Sequence, residues 1–328
     1  MRILILGGTG FLGRHLTERA LARGWDVTQF NRGLRNPGLY PDVTEVHGDR
    51  KVGFAALEGL SFDSVIDTSG YFPRDMVASA TALKDAAPHY VFISSISAYA
   101  ETEAPALDED SALAPWDAAF EDATEITGEN YGALKAECER RLADIYGEGA
   151  LIIRPGLIVG RYDATGRFSY WPQRFRKGGR IVVPDARQAP VQIIDAHDLA
   201  EWMLNLCAAR QGGTFNGTGP ATPLTLGDLF DQLMPLAPAG TELVPFSDEG
   251  LLAHKVAPWV GLPLWIPKAD GGESMMSVDL ARPLAAGLTL RPLAETVADI
   301  LAEIDETGTF TAGASLTAEQ EAALLATR

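Results

Sequence analysis

The segment MRILILGGTGFLGRHLTERALARG constrains the fold of this chain more than any other stretch. Arg2 to Leu6 form a continuous apolar run bounded by glycine, the pattern of a strand buried on both faces. Gly7, Gly10 and Gly13 follow with the spacing G-x-x-G-x-x-G, and a helical pattern begins at once. Such a turn aims the unpaired N–H groups of the helix, and the positive end of its dipole, past the end of the strand. This is the layout of a phosphate cradle. Gly7 turns the chain tightly. Gly10 carries no side chain, so the amides of Thr9, Gly10, Phe11, Leu12 and Gly13 can approach a pyrophosphate. Gly13 lets the helix pack closely on the strand. Incidental glycines in a plain strand–turn–helix are the bland alternative, and the flanking strand and helix argue against it.

Strand patterns recur at DVTQF, VTEVH, DSVIDTSG, YVFISS and ALIIRPG, alternating with helical patterns up to about residue 160. That alternation predicts an α/β fold with a doubly wound parallel sheet, a Rossmann fold, and right-handed crossovers. Residues 1–160 read as the dinucleotide-binding domain and residues 161–328 as mainly a smaller substrate-binding lobe. Thr68, Ser69 and Gly70, at the end of the fourth strand, are expected on the nicotinamide side of the site.

Within NYGALKAECERRL, Tyr131 and Lys135 are four apart and share one face of a helix. A phenol with an ordinary pKa near 10 needs its anion stabilised before it can exchange protons near neutrality, and an ammonium one turn away does that. The same lysine can bond ribose hydroxyls. A Tyr-x-x-x-Lys pair is common by chance, but here it follows a glycine-rich turn and a strand that ends in serines. Ser94, Ser95 and Ser97, just past the strand Tyr90 to Ile93, all stand where open parallel sheets keep their reactive groups.

GGTGFLG, the strand end SSISAY and the Tyr131/Lys135 pair together resemble the extended branch of the short-chain dehydrogenase/reductase superfamily, the NAD-dependent epimerase/dehydratase family. The resemblance implies an NAD(P)-dependent enzyme whose C-terminal lobe is interleaved with the sheet. In that family the catalytic serine or threonine stands four residues before a tyrosine. Here the tyrosine is Tyr99, so Ser95 is expected to orient the substrate oxygen, Ser94 to bond backbone or cofactor, and Ser97 to lie near cofactor or substrate. Asp49, with Arg50 beside it, is expected at the adenine. LIIRPGLIVG is similar to the family's R-P-x-x-x-x-G stretch, so Pro155, Gly156 and Leu157 would approach the nicotinamide and Arg154 would serve structure. A homodimer through two long helices, one of them carrying Tyr131, is usual in the superfamily.

Two departures bear on substrate. Counting back from Asp198, the arginine that binds the diphosphate in nucleotide-sugar relatives is Val191. Ile96 and Ser97 replace the Asp-Glu that follows the catalytic threonine of dehydratases. Both favour a substrate without a nucleotide diphosphate.

The second strand ends in Asn31-Arg32 rather than in an acid. A carboxylate there would bond the ribose 2′-OH of NAD and repel a 2′-phosphate. Arg32, with Arg14 and Arg35 in reach of the same corner, offers a planar fork for phosphate instead. NADP(H) is expected over NAD(H). RFSYWPQRFRKGGRIVVP is aromatic and basic, and reads as a pocket wall with Tyr170, Trp171 and Arg174 toward a small-molecule substrate. Asp198 is expected to cap a helix, and Thr317 with Gln320 have capping-box spacing.

The 328 residues carry a net charge of −17, which argues against nucleic acid and gives little attraction to an anionic membrane surface. Two cysteines and five scattered histidines imply neither a disulfide framework nor a metal site. The short N-terminal apolar run and the lack of any long one suggest a cytoplasmic protein. The first functional reading is a carbonyl/alcohol oxidoreductase. The alternatives are an epimerase that recycles its cofactor, and a non-catalytic NADP-binding sensor or RNA-binding relative.

Overall fold

The computed structural model describes residues 1–100, 107–271, 276–308 and 315–328. The chain divides into two compact units. The first comprises Met1–Gly156, Ala196–Thr218 and Val278–Thr289; the second comprises Leu157–Asp195, Gly219–Ser277 and Leu290–Arg328.

The first unit opens with β1 (Arg2–Leu6), α1 (Phe11–Ala22), β2 (Asp26–Asn31), β3 (Thr44–His47), β4 (Ser64–Asp67) and α2 (Pro73–Leu83). It continues with β5 (Tyr90–Ile93), α3 (Tyr131–Tyr146) and β6 (Ala150–Pro155). The second unit begins with β7 (Leu157–Val159), α4 (Tyr170–Lys177), β8 (Arg180–Pro184), β9 (Pro190–Val191) and β10 (Ile193–Asp195). The chain then returns to the first unit for α5 (Ala196–Ala209) and β11 (Gly213–Gly217).

Seven strands form one sheet in the order β11-β6-β5-β4-β1-β2-β3, and each pair is parallel. The chain reverses its direction of winding between β1 and β4, which makes the carboxyl ends of these strands the crevice of the fold. Strands covered on both faces must be apolar throughout. Ile3, Leu4 and Ile5 in β1, and Tyr90, Val91 and Phe92 in β5, are fully buried. α2 and α3 pack together, as do α1 and α5. Met76, Ala80, Leu83, Cys138, Leu142 and Tyr146 join Leu4, Val65 and Phe92 in one core. α2 starts with proline at its first turn, where no N–H is needed.

In the second unit β7 pairs with β10, β8 with β13 (Glu242–Phe246), and β9 with β12 (Leu224–Thr225). Its helices include α6 (Leu226–Leu233), α9 (Leu293–Thr307) and α10 (Ala318–Leu325), with the short α7 (Asp248–Ala253) between; α8 (Ala281–Ala285) belongs to the first unit. The core is aromatic: Phe168, Trp171, Phe175, Phe230 and Trp265 are buried together. Thr317 and Gln320 make both bonds of a capping box on α10. Asp198 lies within the first turn of α5, which begins at Ala196, where its charge suits the positive end of the helix dipole. Among the described residues, no helix is long and apolar enough to cross a membrane, and no group of three His, Cys, Asp or Glu side chains could hold a metal. Cys138 and Cys207 are free and buried, and burial pushes the thiol of each up to about 12.

Candidate active site

The glycine-rich turn has the geometry of a phosphate cradle. Gly7 has φ +94°, a backbone conformation that favours glycine, and Gly10 precedes the first helical residue Phe11 without any side-chain cap. A Cβ on Gly13 would stand 2.3 Å from the Gly7 carbonyl oxygen, so close packing of α1 on the turn requires glycine. A Cβ on Gly10 would meet no protein atom nearer than 3.6 Å. Protein packing therefore does not explain Gly10, whereas a ligand lying across the turn does. The first-turn N–H groups of Phe11, Leu12 and Gly13 have no carbonyl partner within the helix. These residues fit the pyrophosphate of a dinucleotide.

At the end of β2 the Asn31 side chain is committed locally. Its Nδ2 donates to Glu45 Oε1 (3.2 Å) and its Oδ1 accepts from Gly33 N (2.7 Å). Arg32 and Arg35 are exposed, and among the described residues neither has an ion-pair partner. Arg35 folds back over the turn, with Nη1 3.7 Å from the position of a Gly10 Cβ. Asn36 Nδ2 bonds the Thr9 carbonyl at 3.4 Å. Arg14 lies against Tyr40. Asp49 turns the chain after β3 by accepting from Lys51 N at 2.9 Å.

Arg50 corrects an expectation. Its guanidinium is consumed by Asp67 (3.0 and 2.9 Å), and also bonds Ser69 Oγ (3.0 Å), Ser79 Oγ (3.1 Å) and the Asp75 carbonyl (3.3 Å). It holds protein, not adenine. Thr68 is tied to β1 through its N–H (3.1 Å) and Oγ1 (2.9 Å), both on the Leu6 carbonyl. The Thr68–Gly70 turn therefore stands beside the glycine-rich turn.

α3 brings the remaining parts together at the carboxyl end of β5. Tyr131 is its first residue and is half-buried; Lys135, one turn on, is 4% exposed. Lys135 Nζ donates to the carbonyls of Gly70 (2.7 Å) and Ile93 (2.8 Å), and lies 4.7 Å from the centres of the Tyr71 and Phe92 rings. Burial pulls its pKa down to about 8, and Arg50 adds to the fall; Cys138, Asp67 and Glu139 act the other way. Ser95 is 8% exposed, and its Oγ accepts from Ser97 N at 3.1 Å, which opens the short turn Ile96–Ala98. Ser97 is half-buried. Ser94 Oγ donates to Glu139, and Glu139 accepts from Arg154 at 2.6 Å. Arg154 bonds the Glu109 carbonyl at 3.1 Å and lies 4.7 Å from the centre of the Tyr99 ring, a structural placement. Tyr99 donates to Asn216 at 2.7 Å. Pro155 ends β6, and Gly156 N bonds the Gly217 carbonyl at 3.1 Å. Leu157 begins the second unit, with its side chain in that unit's core.

Several residues of this arrangement escaped the sequence reading. Gly132 is one: a Cβ there would stand 2.2 Å from the Ser97 carbonyl oxygen, so α3 can meet the Ser95–Ala98 turn only through glycine. Glu139 is another. It lies four residues beyond Lys135, on the same face as Tyr131 and Lys135, a spacing that could have revealed it.

Residues 3–216 match the model of the NAD dependent epimerase/dehydratase family.
The chain belongs to the NAD-dependent epimerase/dehydratase family.
Epimerases and dehydratases of that family are enzymes. A curated relative, chloroplast stem-loop binding protein of 41 kDa b from Arabidopsis thaliana, is 27% identical over 221 residues. That match takes in 62% of this chain, which spans about half (54%) of the relative's length. Among solved structures, Bordetella bronchiseptica WbmH in complex with NAD⁺ matches with a TM-score of 0.69 at 18% identity, covering 94% of this chain and 99% of that one. WbmG of the same organism, in complex with NAD and UDP, matches with a TM-score of 0.67 at 17% identity, covering 97% and 99%. At such identity these likenesses show a shared fold.

The substrate-side expectation is corrected. Trp171 is fully buried and donates its indole N–H to the Pro263 carbonyl (3.0 Å). Tyr170 packs edge-on against it, with ring centres 4.9 Å apart. Arg174 is paired with Glu321 (2.9 Å) and bonds the Gly178 (2.7 Å) and Arg180 (2.6 Å) carbonyls. All three are buried in the packing of the second unit.

Proposed function

We propose that this enzyme interconverts a carbonyl and an alcohol by NAD(P)-dependent hydride transfer, with Tyr131 as proton donor and acceptor. The observation that carries the reading is Lys135, a buried ammonium one helical turn from Tyr131 and anchored on the ends of β4 and β5. An ammonium has three donors, and two are taken by carbonyls. The third is left to meet a ribose hydroxyl. Its positive charge favours the Tyr131 phenolate, which lets the phenol give up its proton to the substrate oxygen or reclaim it. Ser95 orients that oxygen and stabilises the charge that develops on it. The dinucleotide, when bound, supplies the hydride acceptor or donor. Gly7 to Gly13 would hold its pyrophosphate, Asp49 its adenine, and Thr68 to Gly70 with Pro155 and Gly156 its nicotinamide side.

NADP(H) is the preferred dinucleotide in this reading. Arg32 and Arg35, in the loop after β2, have no ion-pair partner among the described residues. Glu45, the acid nearest Asn31, is spent on the Gly38 amide (3.0 Å) and the Asn31 amide (3.2 Å). NAD(H) is the alternative, in keeping with the NAD complexes of WbmH and WbmG.

The substrate carries no nucleotide diphosphate. Val191 is buried where nucleotide-sugar relatives place arginine. Several arginines of the second unit are paired within it: Arg161 with Glu306, Arg176 with Asp305, Arg187 with Asp231, and Arg291 with Asp195 and Asp299.

Nicotinamide absorbance, followed across small carbonyls, alcohols, free sugars and UDP-sugars with substrate conversion in parallel, tests the reading. Net gain or loss of NADPH on a substrate without phosphate is expected. Conversion without net redox change would establish the second reading, an epimerase, which the family match favours. Tight NADPH binding with silence in both channels would leave a sensor. The name of the Arabidopsis relative raises stem-loop RNA as a ligand; the charge of −17 argues against it here.

A further inference from the structure

We propose that Arg50 and Asp67 are positioning residues for Lys135: their buried ion pair fixes the Ser69–Gly70 turn, whose carbonyl holds the ammonium. This rests on the reading of Lys135 as part of the catalytic set.

Asp67 ends β4 and is fully buried. Its carboxylate accepts from both Nη atoms of Arg50, from Tyr90 Oη (2.9 Å), from Ser69 N (2.9 Å) and from Ser69 Oγ (3.2 Å). The bonds from Ser69 fold the chain into a turn directly after the strand. Arg50 closes the same turn from the other side through Ser69 Oγ, and reaches α2 through Ser79 and the Asp75 carbonyl. Gly70 comes next. A Cβ there would stand 2.9 Å from both Met76 and Phe92, so the turn is pressed onto the core. Its carbonyl can then face only a narrow range of directions, and it meets Lys135 Nζ at 2.7 Å.

A buried ion pair is a poor way to stabilise a fold, because apolar residues of similar volume usually do as well or better. What this pair supplies is direction. A carboxylate that takes five hydrogen bonds and a guanidinium that touches β4, the turn and α2 leave the Gly70 carbonyl one orientation. The charged groups acting on Lys135 are Asp67, Glu139 and Arg50, beside the neutral thiol of Cys138. Asp67 favours the ammonium and Arg50 opposes it, so the pair aims the lysine while adding little net charge beside it.

Lys135 is one of six lysines, which makes its titration readable in the full chain by NMR with ¹³Cε-lysine, assigned by Lys135→Met. The wild-type midpoint is expected near 8. In Asp67→Asn it should fall by about half a pH unit or more, because a carboxylate and a well-aimed acceptor are both lost. On any substrate found by the redox panel, kcat should fall about tenfold with KM and dinucleotide Kd little changed. Arg50→Lys should recover part of the turnover lost in Arg50→Met. A purely structural pair would lower Tm and leave the midpoint in place. A folded Asp67→Asn with wild-type midpoint and turnover overturns the proposal. If Asp67→Asn does not fold, Ser69→Ala breaks the same turn, and an unmoved midpoint there overturns it equally. The two claims fail separately. A Lys135→Met variant that turns over normally removes the underlying reading, whereas an inactive Lys135→Met beside a wild-type-like Asp67→Asn removes only the positioning role.

Discussion

In the proposed reading, Arg32 and Asn31 set the choice of cofactor. Asn31 spends its amide on Glu45 and Gly33, which in that reading leaves selection at the adenosine ribose to the guanidinium beside it. Arg32→Ala should weaken NADPH binding about tenfold, the scale of a charge-assisted hydrogen bond, and leave NADH binding nearly unchanged. Fluorescence titration of both dinucleotides reads this directly, and equal wild-type affinities would contradict the preference. Positions were legible where chemistry and spacing coincide: Gly13 packs α1 on the turn, and Tyr131 and Lys135 share one helix. They were not legible where a partner lies far along the chain. Arg50 reads as a cofactor contact until Asp67 is found against it, and Arg174 as a substrate contact until Glu321 is. No local pattern announces a pairing made by the fold.

At the level of elements, the site is an assembly of strand ends held by one helix. α3 meets the end of β5 and the turn after it at three successive turns, through Gly132 against the Ser97 carbonyl, Lys135 on the Ile93 carbonyl and Glu139 on Ser94. Gly132→Ala would push a methyl group to 2.2 Å from the Ser97 oxygen. It should cost about 1–3 kcal/mol of stability, as overpacking does, and lower turnover further by displacing Ser95. Chemical denaturation with a parallel rate measurement checks both, and wild-type values in each would show that the contact yields freely. The strands RILIL, YVFI and ALIIRP were legible because burial on both faces leaves a continuous apolar run, whereas VTEVH, an edge strand with exposed ends, was legible only from its place in the alternation. α4 was misread for the opposite reason. Its tryptophan and arginine suit a pocket wall and a packed helix equally well, and only the core of the second unit tells them apart.

For the molecule as a whole, the parallel sheet sets where chemistry can happen and the charge sets which partners can approach. A net charge of −17 gives polyanions no long-range attraction, and the positive groups at the end of β2 are too few to neutralise a run of phosphates. Folded RNA should therefore show no binding at micromolar protein in about 50 mM salt, where phosphate contacts are strongest. A gel-shift assay with a stem-loop is sufficient, and a salt-sensitive complex would show that the charge is unevenly distributed.

The central claim is that Tyr131 moves the proton, and one substitution tests it. Tyr131→Phe removes a single oxygen from a half-buried ring and leaves Lys135 and the glycine-rich turn in place. On whichever substrate the redox panel identifies, turnover should fall by about 100-fold or more, the scale of a lost acid–base group, while NADPH still binds. Undiminished turnover by Tyr131→Phe would contradict the account.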